Sequence, residues 1–467
     1  MNISTEKLAG FVKQAVRIVG RQNLLTDPAD CLPYSYDNSR RQHMPDAVAF
    51  VSEHRQVRDL VRLCYELRLP VIARGRGTGT TGATTPTQGG LVLSFERMNR
   101  ILRIDPGNRL MVVEPGITNE QVQRAAAGHG FFWPPDPTSA AYCTVGGNLA
   151  YNSAGPRAVK YGTPRENVLG LRAVTGTGRT LRCGVSTTKG VVGYDLTRLL
   201  IGSEGTLAII TEATLKLTPL AETKRTMQAI YRDIRSACQA VSAIMAQPVI
   251  PCALEFIDAM ALDMIRHYSS ARLPEHAGAL LMIEVDGHAA GIDHAVEAIG
   301  RAAANEGLLD FQAANDDEEV AALWATRKAL SPALRNVAPK KINEDVVVPV
   351  SAIPDLIGGL EQLAARYAIK IVNFGHAGNG NIHVNLLIDP DNPDEMQRAA
   401  HCLDEVFDLV LRLDGTLSGE HGVGLEKRDF VARELDQTAL SLMRAIKAQF
   451  DPAGILNPEK MLPPENA

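Results

Sequence analysis

Residues 74–90 read RGRGTGTTGATTPTQGG, and this glycine-rich stretch determines how the sequence around it is interpreted. It joins two short apolar segments, LPVIAR before it and LVLSF after it, which both read as buried strands. Residues 77–82 match G-x-G-x-x-G, the pattern of a Rossmann dinucleotide site, but that site needs a helix that begins at the loop. Pro86 and Gly89 leave no room for such a helix. The stretch therefore predicts a loop whose bare backbone N–H groups wrap a phosphate, with an ordinary flexible turn as the alternative.

The composition is typical of a folded globular protein. The chain has 467 residues, of which 45% are hydrophobic, and its net charge is −5. An acidic chain lacks the basic surplus that binding to nucleic acid or to an anionic membrane favours. The seven cysteines are scattered and form no C-x-x-C pair, so we expect neither disulfides nor an iron–sulfur cluster. No apolar window approaches the roughly 18 residues of a membrane span and the N-terminus has no signal-peptide core, so we expect a cytoplasmic protein.

Glycine is distributed unevenly along the chain. Two further glycine-rich blocks follow the first, at residues 144–162 and 202–205, and the second of them precedes the apolar segment TLAIITEATLKL. From about residue 221 to residue 415 glycine becomes rarer, and strand-like segments alternate with helix-like ones. This pattern predicts an α+β domain built on an antiparallel sheet.

The segment NFGHAGNGNIHVNLLI, residues 373–388, contains two histidines around a glycine-rich turn. The turn lets the flanking strands fold back on each other, so that His376 lies beside His383. Farther along the chain, the segment SGEHGVG offers Glu420 and His421 in adjacent positions. His376, His383 and Glu420 supply three N/O ligands and leave an open position, as in a catalytic Zn²⁺ or Mn²⁺ centre, and His421 remains as a base. The alternative is that these are ordinary structural or surface histidines.

Three other side chains are predicted to contact a substrate. Trp324 and Arg327 are one helical turn apart, and a guanidinium is a natural bidentate partner for a carboxylate. Period-two alternation places Asn385 on the same strand face as His383. The third is Lys341 or Asn343, in the segment KKINED, which would lie near the far end of the substrate. The alternatives are a solvated arginine on a helix and a charged entry to a strand.

Several segments resemble those of one flavoprotein superfamily. They are, in order, RGRGTGTTG at 74–82, PPD at 134–136, VGGN at 145–148 with NSAG at 152–155, and GSEGTL at 202–207. Their order and spacing resemble the FAD-contacting segments of the vanillyl-alcohol oxidase and p-cresol methylhydroxylase (PCMH) superfamily. The C-terminal half is similar to the branch that contains D-lactate dehydrogenases, D-2-hydroxyglutarate dehydrogenases and the flavin subunit of glycolate oxidase.

The resemblance implies a fold and its division into domains. The expected class is α+β, a two-domain FAD-binding PCMH-type fold with an α+β antiparallel-sheet cap domain. Residues 1–220 would form the FAD-binding domain, and residues 221–417 would form the cap, which binds the substrate. Residues 418–467 would form a C-terminal segment that returns to the FAD-binding domain.

The resemblance also implies flavin contacts residue by residue. Residues 74–80 would wrap the pyrophosphate, Glu204 would lie near the adenine, and Asn457 would approach the isoalloxazine edge. The implied contacts are Arg74, Gly75, Arg76, Gly77, Thr78, Gly79, Thr80, Pro135, Asp136, Thr138, Gly146, Gly147, Asn148, Ser153, Gly155, Glu204, Gly205, Ile210 and Asn457. Arg76 departs from the family, where a small residue often stands. Because no histidine or cysteine occupies the loop, we expect FAD to bind noncovalently.

In relatives with these motifs, a divalent metal occupies the site that corresponds to His376, His383 and Glu420, and the arginine that corresponds to Arg327 anchors the acid group. The resemblance therefore implies FAD-dependent, metal-assisted oxidation of a D-2-hydroxy acid to the 2-oxo acid, with D-lactate as the first choice. In this hypothesis His421 removes the hydroxyl proton, and the Cα hydrogen passes as hydride to flavin N5. We expect the metal to be Zn²⁺, with Mn²⁺ as the alternative.

Other functions remain open at this point. The substrate alternatives are D-2-hydroxyglutarate or D-malate, and glycolate as for a glycolate oxidase flavin subunit. Two alternatives from other classes are a metal-dependent hydrolase and a noncatalytic electron-transfer flavoprotein. The reduced flavin would pass electrons to oxygen or to an external acceptor, which is a quinone, an electron-transfer flavoprotein or an iron–sulfur partner subunit, and such an acceptor would bring the protein to the inner membrane. The sequence leaves open whether the protein forms a homodimer, and no nucleic-acid partner is expected.

Overall fold

The computed structural model describes residues 5–268, 274–314 and 316–464. Helices and strands alternate along this part of the chain, which gives the α+β class that the sequence predicts. The strands, in chain order, are β1 (Leu24–Leu25), β2 (Ala47–Phe50), β3 (Val71–Arg74), β4 (Leu91–Ser94), β5 (Ile101–Asp105), β6 (Leu110–Val113), β7 (Phe131–Phe132), β8 (Val168–Thr175), β9 (Thr180–Gly184), β10 (Ala208–Lys216), β11 (Thr218–Pro219), β12 (Thr223–Tyr231), β13 (Ala253–Asp258), β14 (Ala279–Gly287), β15 (Leu308–Ala313), β16 (Lys340–Val347), β17 (Lys370–His376) and β18 (Asn381–Ile388). The α-helices are α1 (Thr5–Val19), α2 (Pro28–Cys31), α3 (His54–Leu67), α4 (Asn119–Ala127), α5 (Val145–Tyr151), α6 (Ala158–Tyr161), α7 (Leu196–Leu200), α8 (Ile234–Met245), α9 (Ala259–Tyr268), α10 (Ile292–Ala303), α11 (Asp317–Val337), α12 (Ile353–Tyr367), α13 (Pro393–Arg412), α14 (Val431–Glu434) and α15 (Gln437–Phe450).

The chain divides into two compact units. The described residues of the first unit fall within Met1–Gly155, Gly162–Leu220 and Glu420–Ala467. Those of the second unit fall within Pro156–Tyr161 and Ala221–Gly419. The last segment of the chain therefore belongs to the same unit as the first segment.

The first unit contains a four-stranded sheet in the order β1-β2-β4-β3. Strand β4 pairs in parallel with both β2 and β3. Helices α1 and α3 pack on this sheet through apolar residues at helical spacing, and Phe11, Leu60 and Cys64 are buried in one core. The connection from β3 to β4 is the glycine-rich stretch, and no helix begins in residues 75–90, all of which are described. The prediction of a loop without a Rossmann helix is confirmed.

The first unit also contains a five-stranded antiparallel sheet in the order β5-β6-β10-β8-β9. Strand β10 is central and pairs with β6 and β8. Helix α5 begins after Thr144, whose hydroxyl accepts a hydrogen bond from the backbone N–H of Gly147 at 3.2 Å. This N-cap fixes the chain at the entry to α5, where the second glycine-rich block lies.

The second unit is built on a seven-stranded antiparallel sheet in the order β15-β12-β14-β13-β17-β18-β16, as far as the described residues extend. In this register Glu255 of β13 lies opposite His376 of β17, and Asp345 of β16 lies opposite His383 of β18. Directly opposed residues of an antiparallel pair project from the same face, so one face of the sheet carries these side chains. The predicted antiparallel-sheet domain is confirmed.

The two units differ from the predicted domain boundaries in two places. Residues 156–161 belong to the second unit because the side chains of Lys160 and Tyr161 both bond to Asp286 of β14; the Tyr161 hydroxyl donates to Asp286 Oδ2 at 2.7 Å. The second unit ends at Gly419, two residues later than the sequence predicts. Its last residue is held by Asp345, whose Oδ2 accepts the Gly419 N–H at 3.0 Å.

Two expectations from composition concern cysteines and membrane spans. Each of the seven cysteines lies in the described part of the chain and is a free thiol. Within the described ranges, no helix combines the length and the apolar character that crossing a membrane requires.

Candidate active site

A cleft opens in the first unit. Its walls come from the end of β3, from the start of α5 and from the chain that leads into β10. The predicted flavin residues that line it are Arg74, Gly75, Gly146, Gly147, Glu204, Gly205 and Ile210. These residues come from three segments that are distant in sequence, and the fold brings them to one cleft.

The cleft presents bare backbone and a buried positive charge. At Gly205, which has φ +70°, the nearest atom to an added Cβ is Ala73 Cβ at 3.9 Å, so the wall here is bare backbone. The guanidinium of Arg74 is buried, and it donates to Thr84 Oγ1 and to the Pro33 carbonyl, both at 3.2 Å. Burial lowers the pKa of Arg74 from its usual value. A bound anion would compensate this buried positive charge.

Residues 76–80 of the glycine loop do not line this cleft. An added Cβ at Gly77 would lie 2.2 Å from the Arg74 guanidinium, and one at Gly79 would lie 2.4 Å from the Tyr151 hydroxyl. Arg76 is half-exposed and forms an ion pair with Glu96 at 3.7 Å. Thr78 and Thr80 are likewise outside the lining, so pyrophosphate contacts of residues 76–80 stay predictions.

The second glycine-rich block has two different roles. Asn148 turns away from the cleft, because its amide contacts Cys143 Sγ and Asn119 in the buried interior. Ser153 and Gly155 hold Glu420: the Ser153 hydroxyl donates to the Glu420 carbonyl at 2.9 Å, and the Gly155 N–H donates to Glu420 Oε2 at 2.8 Å. The structure therefore fixes the position of the Glu420 carboxylate within the first unit.

The remaining predicted flavin residues also lie outside the cleft lining. The Pro135 carbonyl accepts one hydrogen bond from the Asn119 side chain, and the Asp136 N–H donates to the Ala154 carbonyl. The amide of Asn457 donates to the carbonyls of Ala83 and Glu204, at 2.9 and 2.7 Å, and so joins two loops. Flavin contacts of Pro135, Asp136, Thr138 and Asn457 stay predictions.

His376 and His383 lie side by side on the sheet of the second unit. Their ring centroids are 5.3 Å apart, each residue is 7% exposed, and each ring offers a nitrogen within 4.8 Å of the other. Nδ1 of His376 is 2.5 Å from Oε1 of Glu255, a buried carboxylate that is 2% exposed. A carboxylate on one ring nitrogen fixes the orientation of the imidazole and directs the other nitrogen toward a ligand.

The predicted metal ligands are divided between the two units. His376 and His383 belong to the second unit, and Glu420 belongs to the first. The two imidazoles with their carboxylate partner have the donor chemistry that Zn²⁺ or Mn²⁺ prefers. Glu420 as the third ligand stays a prediction.

His421 follows Glu420 in a turn of the first unit. Nδ1 of its ring is shielded from solvent, and its carbonyl accepts a hydrogen bond from Thr81 Oγ1 at 3.4 Å. The next residue, Gly422, has φ +83°, so the chain turns sharply immediately after the histidine.

The predicted substrate residues have different surroundings. Asn385 is fully buried on β18, and both hydrogens of its amide are used, because Nδ2 donates to the carbonyls of Val372 and His383 at 3.1 and 3.0 Å. Within the described residues its Oδ1 has no partner, so Asn385 offers an acceptor and no donor. A contact between Asn385 and a substrate stays a prediction. Arg327 lies in α11, and its side chain is outside the described residues.

Lys341 lies on the same sheet face as His383. Each cross-strand pair on this face forms one row, and Lys341 is two rows away from His383. The cross-strand pairs run Asp345 with His383, Asn343 with Asn385, and Lys341 with Leu387. Each row adds about 7 Å along the strand. A short acid at His383 would therefore reach the Asn385 row, whereas only a longer one would approach Lys341.

Three polar residues of the second unit were not predicted from the sequence. Glu255 contacts His376, Asp345 holds Gly419, and Glu284 accepts a hydrogen bond from the Trp324 ring at 2.9 Å. Glu255 and Glu284 lie in strands made mostly of apolar residues, and that contrast is a signal in the sequence, whereas Asp345 lies among the polar residues of β16 and carries no such signal.

One testable consequence of the cleft geometry concerns Gly146. A Cβ here would lie 2.6 Å from Pro115 Cβ, so we expect Gly146→Val to displace α5 and to weaken FAD binding about 10-fold or more. Flavin fluorescence titration of the apoprotein measures this affinity. Gly10→Ala is the control, because an added Cβ at Gly10 has no atom within 4 Å. Unchanged affinity in Gly146→Val would place the flavin elsewhere.

Two family models match this chain in succession. One is described as "FAD binding domain" and matches residues 45–184, and the other is "FAD linked oxidases, C-terminal domain" and matches residues 220–461. An FAD-binding domain followed by this C-terminal domain defines an FAD-linked oxidoreductase. The chain belongs to the FAD-linked oxidases. The predicted resemblance and enzyme class are confirmed, and neither the hydrolase nor the noncatalytic alternative is supported.

Relatives of known name span almost the whole chain. Glycolate oxidase subunit GlcD of Bacillus subtilis is 42% identical over 96% of this chain and 96% of its own length. D-2-hydroxyglutarate dehydrogenase of Xanthomonas citri pv. viticola is 35% identical, with 95% of each chain covered. D-lactate dehydrogenase of Anaerostipes hadrus is 31% identical, with 89% of each chain covered.

The solved structure of p-cresol methylhydroxylase with substrate bound has the same fold. It superposes with a TM-score of 0.81 at 18% identity, and the match covers 98% of this chain and 97% of the other. The predicted PCMH-type, two-domain FAD-binding fold is confirmed.

Proposed function

We propose that this protein oxidises a short D-2-hydroxy acid, with D-lactate as the first choice, to the 2-oxo acid, using noncovalently bound FAD and a divalent metal, Zn²⁺ or Mn²⁺. The observation that carries the proposal is the buried imidazole pair of His376 and His383 with Glu255 on Nδ1 of His376. An FAD-linked oxidase has no need of such a ligand set for flavin chemistry alone. This ligand set supports a bound cation that acts on the substrate.

The roles of the residues follow from their chemistry. Bound FAD supplies a hydride acceptor, and a bound divalent cation supplies positive charge that favours the ionised substrate hydroxyl. His376, His383 and Glu420 are the proposed metal ligands, and His421 accepts the hydroxyl proton. Arg327 is the proposed partner of the substrate carboxylate, because a guanidinium binds a carboxylate through two hydrogen bonds.

The proposed substrate is a monocarboxylate. GlcD of Bacillus subtilis, named for glycolate, covers the chain at 42% identity. A two- or three-carbon acid with its hydroxyl near His383 would lie beside the Asn385 acceptor and would not approach Lys341, two rows away. Glycolate is therefore an alternative of similar size. D-2-hydroxyglutarate and D-malate, whose second carboxylate would need a cation such as Lys341, are the dicarboxylate alternatives.

The test of the proposed function is reduction of the bound flavin by a panel of acids. The holoprotein is mixed without oxygen with D-lactate, L-lactate, glycolate, D-malate and D-2-hydroxyglutarate, and the loss of flavin absorbance is followed by stopped flow. We expect D-lactate to bleach the flavin, and L-lactate to do so at least about 10-fold more slowly, because an enantiomer bound by the same carboxylate contact misplaces its Cα hydrogen.

Each outcome of this panel has a defined meaning. If no acid bleaches the flavin, the proposed function is wrong. If a dicarboxylate reacts fastest, the substrate proposal changes, and Lys341→Met would raise the KM of that dicarboxylate about 10-fold through loss of a charge-assisted contact.

The reduced flavin needs an electron acceptor that this chain does not supply. We propose an external acceptor: a quinone, an electron-transfer flavoprotein or an iron–sulfur partner subunit. The name of GlcD, a subunit of glycolate oxidase, supports a partner protein. We also propose a cytoplasmic location, with the protein at the inner membrane when its electron acceptor is there. A homodimer is the simplest form of self-association.

A further inference from the structure

The side chain of Glu204 lies inside the first unit and contacts the turn after His421. Its Oε1 accepts the Val423 N–H at 2.6 Å, and its Oε2 accepts the Gly424 N–H at 2.9 Å. Glu204 is 5% exposed, so both hydrogen bonds are shielded from water. This carboxylate belongs to the G-S-E-G segment, whose resemblance implies a flavin contact.

The backbone of Glu204 is held as firmly as its side chain. Its N–H donates to the Ala150 carbonyl at 2.9 Å, and its carbonyl accepts the Asn457 amide at 2.7 Å. Its φ is +52°, a left-handed conformation that costs energy for a residue with a side chain. The surroundings maintain this conformation, which aims the carboxylate at the turn.

The turn is shaped to receive the carboxylate. An added Cβ at Gly422 would lie 2.6 Å from Glu204 Oε1 and 2.5 Å from the Tyr151 ring. Gly424 also has positive φ, at +52°, and an added Cβ there would lie 2.2 Å from the Thr81 carbonyl. Only glycine at both positions lets the two N–H groups approach the same carboxylate.

Burial raises the pKa of Glu204 to about 7, and the Val423 and Gly424 N–H groups lower it. Two backbone donors therefore offset part of the cost of a buried carboxylate. A side chain that served only to line the cleft would not need this arrangement, because a glutamine would line it at lower cost.

We propose that Glu204 is a positioning residue for His421. Its carboxylate fixes the turn 422–424 and so holds the proton-accepting histidine in position at the flavin cleft. Glu204 also lines that cleft. Glu204 therefore lines the cleft and also bonds to the turn that follows His421. The inference rests on the proposed role of His421.

The test is Glu204→Gln in the FAD-loaded protein, with two measurements. A glutamine retains one acceptor oxygen, so we expect the variant to keep FAD while amide hydrogen exchange at Val423 and Gly424 becomes about 10-fold faster or more. We expect the rate constant for flavin reduction by the substrate to fall about 10-fold or more, with the substrate dissociation constant unchanged within about 2-fold, because a misplaced catalytic group affects the rate more than binding. Glu204→Asp, whose carboxylate is one carbon shorter, is the second variant, and it should show the same two changes if Glu204→Gln does not fold.

Glu212→Gln is the matched control. Glu212 lies on β10, eight residues farther along the chain, and its side chain faces Arg172 at 3.9 Å, outside the cleft. We expect it to behave as the unmodified protein in both measurements.

Two results would overturn the inference. Wild-type exchange at Val423 and Gly424 in a folded Glu204→Gln protein would show that the carboxylate does not hold the turn. Loss of FAD with unchanged exchange would make Glu204 a cofactor ligand only. If the unmodified protein is reduced by no hydroxy acid, the proposed function fails, whereas the exchange measurement still tests the contact between Glu204 and the turn.

Discussion

His421→Ala is expected to keep its FAD and to lose turnover by about 10²–10⁴-fold, which is the usual contribution of a general base. His421 directly precedes the turn whose Val423 and Gly424 N–H groups donate to Glu204, and Nδ1 of its ring is shielded from water, so solvent is a poor substitute for the imidazole. The measurement is the rate of flavin bleaching by the hydroxy acid in the absence of oxygen. Bound flavin is quantified from the visible spectrum of the same sample.

The control for this prediction is His401→Ala. His401 lies on α13 of the second unit and is exposed, so its removal changes the histidine content without touching the site. We expect wild-type bleaching in this variant. Full activity in His421→Ala would contradict the assignment of the base. Loss of flavin from His421→Ala would instead indicate a structural role of the turn.

Removal of the metal is expected to leave a yellow but inactive protein. The flavin cleft is lined by residues of the first unit only, whereas His376 and His383 lie in the second unit, so a chelator should extract the cation and leave the FAD bound. We expect turnover to fall about 100-fold or more, because a cation that favours the ionised hydroxyl lowers the activation free energy by several kcal/mol. Readdition of Zn²⁺ or Mn²⁺ should restore activity and identify the metal.

His383→Ala provides the genetic counterpart of the chelator. We expect this variant to contain less than about one tenth of the wild-type metal, since loss of one of three ligands removes most of the affinity. His294→Ala, an exposed histidine on α10, is the matched control and should retain the metal. Activity that survives complete removal of the metal would make the cation structural and would contradict its proposed action on the substrate.

Local signals in the sequence predict much of the fold. The apolar spacing of α3 and the strands on both sides of the glycine-rich stretch are visible without a structure. The absence of a Rossmann helix follows from Pro86 and the glycines near it. The antiparallel sheet of the second unit follows from the alternation of strand-like and helix-like segments.

The parts that local signals do not predict depend on strand register and on contacts between distant residues. Glu255 and His376 are 121 residues apart, and they meet only because β13 pairs with β17 in one register. The contact of Glu204 with residues 423 and 424 likewise crosses more than two hundred residues. A single sequence contains no periodicity that reports such pairs.

The glycines illustrate a second limit. Gly205 lines the cleft and has no atom nearer than 3.9 Å to an added Cβ, whereas at Gly77 and Gly79 the side chains of Arg74 and Tyr151 occupy that space. Both requirements produce the same residue in the sequence. Only the structure separates a glycine that exposes backbone to a ligand from one that makes room for a neighbouring side chain.

The connection between β3 and β4 makes the stability of the fold depend on the bound cofactor. The loop that closes this parallel strand pair begins with Arg74 and Gly75, which also line the cleft, so the cofactor wall exists only when the sheet has formed. A ligand that binds only the folded chain adds about 2.7 kcal/mol of stability at a hundredfold excess over its Kd. When riboflavin-derived cofactor is scarce, chains that lack it lose this contribution and spend more time open to proteases, so cellular abundance of the enzyme would follow flavin supply without any dedicated regulator.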